Sequence, residues 1–193
     1  MNLNKIQRVV TGHNQKGEAI ILYQGETPNV KELAHAPGTF FHEIWHTTSS
    51  TIHAQSEDVS LEELMLPPPQ GGSRIRFVDI PPDHEYLDKL SSGSFAQAFE
   101  EIGSQAASTA KQNSPHPLMH RTESVDYGIV MQGTITLVLD QEEIEISQGG
   151  VIVQRGTNHA WANKTNEVCR LAFILIDAEY EPALKEQLDN SSI

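Results

Sequence analysis

An antiparallel β-sandwich or small barrel is the fold class this sequence predicts, and three observations predict it. From Met119 to Asp177 short apolar segments recur at close spacing: "VDYGIVMQG", "TITLVLD", "EEIEIS", "VIVQR" and "VCRLAFILID". Turn residues separate them, the rhythm of all-β folds with hairpin connections. A second β region, "SRIRFVDIPP", precedes them across an insertion of different pattern. The third observation is composition. A hydrophobic share of 38% in 193 residues is low, yet it suits one folded domain with an extension.

Residues 1–72 read as an N-terminal β extension that packs on the barrel or on a partner subunit. Its strands are "IQRVV", "EAIILY" after an Asn-Gln-Lys-Gly turn, and "GTFFHEIWHTT". The polar stretch "TIHAQSEDVSLEEL" has room for one short helix. "LPPPQGG" ends the extension, since three prolines cannot join a central strand.

Residues 73–177 form the main β domain. In "SRIRFVDIPP", Ile75, Phe77 and Asp79 alternate with Arg74, Arg76 and Val78. Residues 83–116 leave that pattern: Phe95, Ala98, Phe99 and Ile102 fall at helical spacing, with Ser94 as N-cap. This helical insertion is expected to hang at one barrel end as a partial lid. Residues 178–193 give a short helix, "AEYEPALKEQLDN", and a tail.

A formal charge of −13 disfavours a nucleic-acid partner, because a polyanion is repelled. The single Cys169 excludes an intrachain disulfide and a four-cysteine zinc site, and in "VCRLAFILI" it reads as a buried thiol. No secretory pattern and no membrane-length apolar run is present, so the expected location is cytoplasmic.

Two stretches carry chemistry. In "VIVQRGTNHAWAN" an apolar strand ends on a glycine turn that presents His159, with Trp161 just beyond. That is either a packed histidine near a strand end or a ligand at a barrel mouth. The candidate partner is His120 in "MHRTESVDYGIVMQG". Period-two alternation puts His120 and Thr122 on one side, and Asp126, Gly128, Val130 and Gln132 on one face of the next strand. Tyr127, Ile129 and Met131 then face outward as an apolar patch that the N-terminal strands or a second subunit should cover, and a homodimer is expected. Gly133 permits the turn into "TITLVL".

These motifs resemble the conserved barrel of the cupin superfamily. The first motif of that family has His-x-His, a Glu three or four residues on, and a Gly seven positions after the Glu. His120 and Gly133 match, Thr122 stands at the second His, and Asp126 takes the Glu position. The second motif has Pro-x-Gly-x-x-His and an Asn four residues later. Gly156, His159 and Asn163 match, and Gln154 replaces the Pro. The chain is most similar to small "HRT…VDYG…QRGTNHAW" cupins of bacterial genomes and fungal biosynthetic clusters.

The resemblance implies a jelly-roll barrel, the double-stranded β-helix, that takes a small-molecule ligand. It implies a divalent transition metal (Fe, Mn, Ni or Zn) on His120, His159 and Asp126, a 2-His-1-carboxylate set with open positions. Thr122, Gly128, Gln132 and Trp161 would line the substrate pocket, with Gly128 leaving room for a ring. A metal-dependent oxygenase, decarboxylase or isomerase is the leading expectation. A metal-free cupin using a His as acid or base, or a non-catalytic sensor, stands beside it.

Residues 42–46, "HEIWH", match the His-Glu-x-x-His of zinc proteases, but that chemistry needs a helix. The flanking "PGTFF" and "TTSST" favour a strand, where the two His would share a face about 13 Å apart. His13, His35, His53 and His84 fall in polar segments and read as solvated. His116 lies in a Pro-flanked loop without an assigned role. Arg155, at a strand end, is expected to be exposed or paired, with anchoring of an anionic substrate as the alternative.

Overall fold

The computed structural model describes residues 6–13, 19–48, 58–87 and 94–190. The turn expected at residues 14–17, His53, and the side chains of His13, Ser94 and Phe95 lie outside what is described.

The chain folds into antiparallel sheets. Strands β1 (Gln7–His13) and β2 (Ala19–Glu26) form a hairpin of their own. A six-stranded sheet runs β3 (Asn29–Glu32), β4 (Phe40–Thr47), β5 (Ser73–Ile80), β11 (Cys169–Asp177), β6 (Ser124–Gln132) and β9 (Val151–Arg155). A three-stranded sheet runs β10 (Ala160–Ala162), β7 (Thr134–Val138) and β8 (Glu143–Ser147). The jelly-roll expectation is met. The extension is continuous with the barrel, because β4 pairs directly with β5.

Alternation decides which side chains meet. On the large sheet Val78, Val130, Leu171 and Leu175 face inward, and they share one core with Ile135 and Leu137 of the small sheet. Fully burying such a side chain stabilises by roughly 1.5–3 kcal/mol. The outer positions Tyr127 and Met131 are exposed, as expected. Gly133, at φ +80°, makes the turn from β6 to β7, and a Cβ there would lie 3.2 Å from the Val168 carbonyl oxygen.

A two-stranded hairpin alone is marginal in water. The β1–β2 hairpin is held by Arg8, whose guanidinium donates to Asp58 through Nη1 (2.8 Å) and Nη2 (2.5 Å) and to Ser60 Oγ at 2.8 Å. Arg8 holds the Asp58 carboxyl down at about 2.

The insertion contains α1 (Asp83–Tyr86) and α2 (Ser94–Glu100). Helix α2 closes with a left-handed cap. Gly103 at φ +65° donates to Glu100 O, and Ser104 N–H reaches back to Phe99 O at 2.8 Å. Leu66 N–H donates to Ile102 O at 2.7 Å, tying this cap to the segment before the proline run. The C-terminal helix α3 (Pro182–Asn190) lies on the surface. Among the described residues no helix is long and apolar enough to cross a membrane.

Candidate functional site

His120 and His159 form an isolated antiparallel bridge. His120 N–H donates to His159 O at 2.8 Å, and His159 N–H donates to His120 O at 2.9 Å. Residues directly opposite across such a pair project to one face. The two rings accordingly lie side by side, with centroids 4.2 Å apart. Each Nδ1 sits 2.9 Å from a main-chain carbonyl, Leu118 O for His120 and Thr157 O for His159. A carbonyl only accepts, so Nδ1 carries the proton and Nε2 keeps its lone pair.

Burial, against the Leu118 hydrogen bond and with a smaller push from His116, lowers the pKa of His120 to about 4. Burial, then the charge of His120, pushes His159 well below its ordinary value. Two neutral imidazoles therefore stand together at neutral pH. Gln154, at the place of the family proline, helps build this turn: its Nε2 donates to Thr157 O at 2.9 Å, the carbonyl that also receives His159 Nδ1–H. Asn163 is fully buried and donates to Ile80 O and Glu167 O, so its part is structural.

The pair opens into a cavity lined by Thr122, Asp126, Trp161, Phe173, Phe99 and Arg76 among others. Trp161 meets His159 edge-on at 5.3 Å and Phe173 at 5.2 Å. On the other side the Phe99 ring of α2 stands 4.9 Å from His120. The insertion thus contributes Phe99, with Ala98 and Ile102, to the cavity lining.

Asp126 lies in the same wall, buried, with Oδ1 lacking any partner. Burial raises its pKa to about 6, against a Ser124 hydrogen bond and the charge of Arg76. It does not complete a triad with the histidines. Among the described residues no group of three or more His, Cys, Asp or Glu stands close enough to hold a metal ion. Thr122 is in the wall but gives its hydroxyl to Ser124 Oγ at 2.8 Å.

Two expected pocket residues, Gln132 and Gly128, are not among those lining the cavity. Gln132 is exposed, because the β6–β11 register shifts between Arg170 and Leu171 and breaks the alternation that would have turned it inward. Gly128 faces inward, but the space beside it belongs to Phe173. A Cβ at Gly128 would lie 3.1 Å from Phe173 Cε1, so the room foreseen for a ligand ring is filled by the chain itself.

"HEIWH" is a strand, and a register shift between Glu43 and Trp45 changes its faces. His42 pairs with Phe77 on the outer side and bonds Asp79 Oδ2 at 2.9 Å, while His46 pairs with Arg74 on the inner side and lies 3.0 Å from Glu62 Oε2. The expectation that the two share a face fails at this bulge, and the chelating helix is absent from the segment. His84 is exposed as expected, whereas His35 is half-buried against Glu101. His116 is buried and accepts Leu118 N–H through Nδ1 at 3.1 Å. Arg155 is exposed.

The sequence reading missed Glu43, Arg74 and Arg76, all buried inside the barrel. The alternation of Arg74, Arg76 and Val78 was visible. The missing information was which side of β5 faced in, and Val78 with Ile80 could have supplied it.

Two sequence-distant histidines of a jelly roll thus meet at the wall of a largely apolar cavity. The profile of the cupin domain family matches residues 109–176. The chain is 35% identical over 181 residues to "Phomopsin biosynthesis cluster protein C'" of Diaporthe leptostromiformis, covering 89% of this chain and 78% of that one. It is 25% identical over 185 residues to "Cupin-domain-containing oxidoreductase srdD" of Neurospora crassa, covering 92% and 78%. Among solved structures, the cupin domain of Schizosaccharomyces pombe Cnp3 matches with a TM-score of 0.44 and 10% identity, over 97% of this chain and 96% of that one. The chain belongs to the cupin superfamily.

Proposed function

We propose that the chain is a cupin-type biosynthetic enzyme that acts on a small organic metabolite held in the His120–His159 cavity. The observation that carries this reading is the pair of neutral imidazoles with free Nε2 atoms at a cavity wall otherwise largely apolar. The relatives, a biosynthesis-cluster protein and a cupin-domain oxidoreductase by name, support it.

The apolar wall, with Trp161 and Phe99 flanking the pair, takes the body of the substrate and excludes water. A pKa near 4 makes His120 a poor proton acceptor at neutral pH, because the best general base titrates near the working pH. The same neutrality suits a divalent ion, since protons do not compete for Nε2. The Nδ1–H to carbonyl bonds are the brace that metal-bound histidines carry. The donor set fits an ion such as Fe, Mn, Ni or Zn at His120 and His159, with water or substrate supplying the other positions. Asp126 is not counted among the ligands. When bound, the ion would supply Lewis acidity or redox chemistry at the substrate.

A second reading follows from Asp126. A carboxyl pushed up to about 6 in a substrate cavity can hold or pass a proton near neutrality, which suits a metal-free cupin isomerase. Elemental analysis of untagged protein, repeated on His120→Ala and His159→Ala, separates the two. Near-stoichiometric metal in the parent, lost in both variants, is the expected result. A folded parent that takes up none of these ions removes the metal reading.

A further inference from the structure

A buried charged cluster, of which Arg76 reaches the cavity lining, is left unused by the proposed function. Strand β5 turns Arg74 and Arg76 inward, and Glu43 of β4 stands opposite Arg76. Both guanidiniums converge on one oxygen: Glu43 Oε2 is 2.8 Å from Arg74 Nη1 and 3.3 Å from Arg76 Nη2. Arg76 Nη2 also donates to Met65 O at 2.5 Å.

That leaves Nε and Nη1 of Arg76 without a partner, on a side chain that is only 1% exposed and lines the cavity. A buried charged donor left unsatisfied is among the costlier features a fold retains. Stability alone gives it no reason, since an apolar side chain of similar volume often does as well. Two cations share the Glu43 Oε2 contact, and Asp126 acts on Arg76 through its charge without a hydrogen bond, so an anionic oxygen answers the remaining donors better than a neutral one does. Asp126 stands in the same wall with Oδ1 unpartnered, so that oxygen is not serving Arg76. Around Arg76 the wall is apolar: Phe41, Val78 and Leu175 line it, with the guanidinium carbon 5.5 Å from the Phe41 ring centroid.

We propose that Arg76 is the anion-binding subsite of this cavity, and that the metabolite is a small carboxylate with an apolar body. This rests on the reading that the cavity binds the substrate, and it adds the substrate class. The carboxylate takes the free N–H groups of Arg76, while the apolar remainder lies along the walls toward His120 and His159.

Binding of phenylacetate and of phenylacetamide, measured calorimetrically at neutral pH, tests this with one shape and two charges. The native chain should prefer the anion at least tenfold. Arg76→Met should erase that preference, weakening phenylacetate more than the amide. Glu43→Gln, which frees more of the guanidinium charge, should tighten phenylacetate threefold or more, and it serves alone if Arg76→Met does not fold. Equal binding of both probes to the native chain overturns the subsite and leaves the cavity reading standing. A preference that survives Arg76→Met, or fails to rise in Glu43→Gln, also overturns the subsite. Binding of neither probe overturns both readings.

Discussion

The hydroxyl of Tyr180 donates to the carbonyl of Gly156 at 2.6 Å, and its oxygen lies 3.3 Å from Thr122 O. One side chain from the segment after β11 thereby joins the turn that presents His159 to the strand that follows His120. Gly156 is shaped for this contact. Its φ is +64°, and a Cβ there would come within 2.6 Å of the Tyr180 ring.

Gly156→Ala should therefore destabilise the protein by about 1–3 kcal/mol from backbone strain alone. The displaced Tyr180 adds to that figure. Tyr180→Phe should cost about 1 kcal/mol, the worth of one hydrogen bond. Urea titration of the three proteins checks this, and a Gly156→Ala protein as stable as its parent would refute the clamp.

Acid should destabilise the protein through its paired imidazoles. In the folded state His120 titrates near 4, below the ordinary value of 6.5. Between those values the unfolded chain binds more protons, so stability falls as pH drops from about 6.5 to about 4. The His120 share is roughly 2–3 kcal/mol across that window. His120→Gln should flatten the stability curve there. An equally steep curve in the variant would show that other groups set the acid response.

The outer face of the large sheet should close a homodimer. Register places Trp45, Ile75, Ile174, Tyr127 and Val153 in one row across five strands, and Phe77, Ala172, Ile129 and Val151 in the next. Val151 and Val153 are more than half exposed, and Tyr127 is 40% exposed. Apolar area of this continuity is seldom left to water. Light scattering at micromolar concentration should give a dimer, and Tyr127→Lys with Val153→Lys should give a folded monomer. A monomeric parent would end this proposal.

The site was legible where local rules suffice. His120, His159 and Asp126 reach one cavity because period-two alternation and glycine turns are written in short stretches of chain. The strand character of "HEIWH" was equally local, set by its neighbours. What escaped depended on distant chain. The short strand β3, "NVKE", has no apolar alternation and exists because β4 offers it an edge. The bulges that reverse His46 and expose Gln132 come from register with β5 and β11. The space beside Gly128 is claimed by Phe173, 45 residues later, and no local pattern announces that.

Leu66 lines the cavity, and it and its neighbour Met65 each hold a part of the structure around it. Leu66 N–H holds Ile102 O, and Met65 sulfur packs on Gly103, just beyond the helix that carries Phe99. The Met65 carbonyl, one residue earlier, holds Arg76. The helical insertion and the buried guanidinium are therefore tied to adjacent links of one chain, so a shift of Leu66 with Ile102 would also move the carbonyl that steadies Arg76.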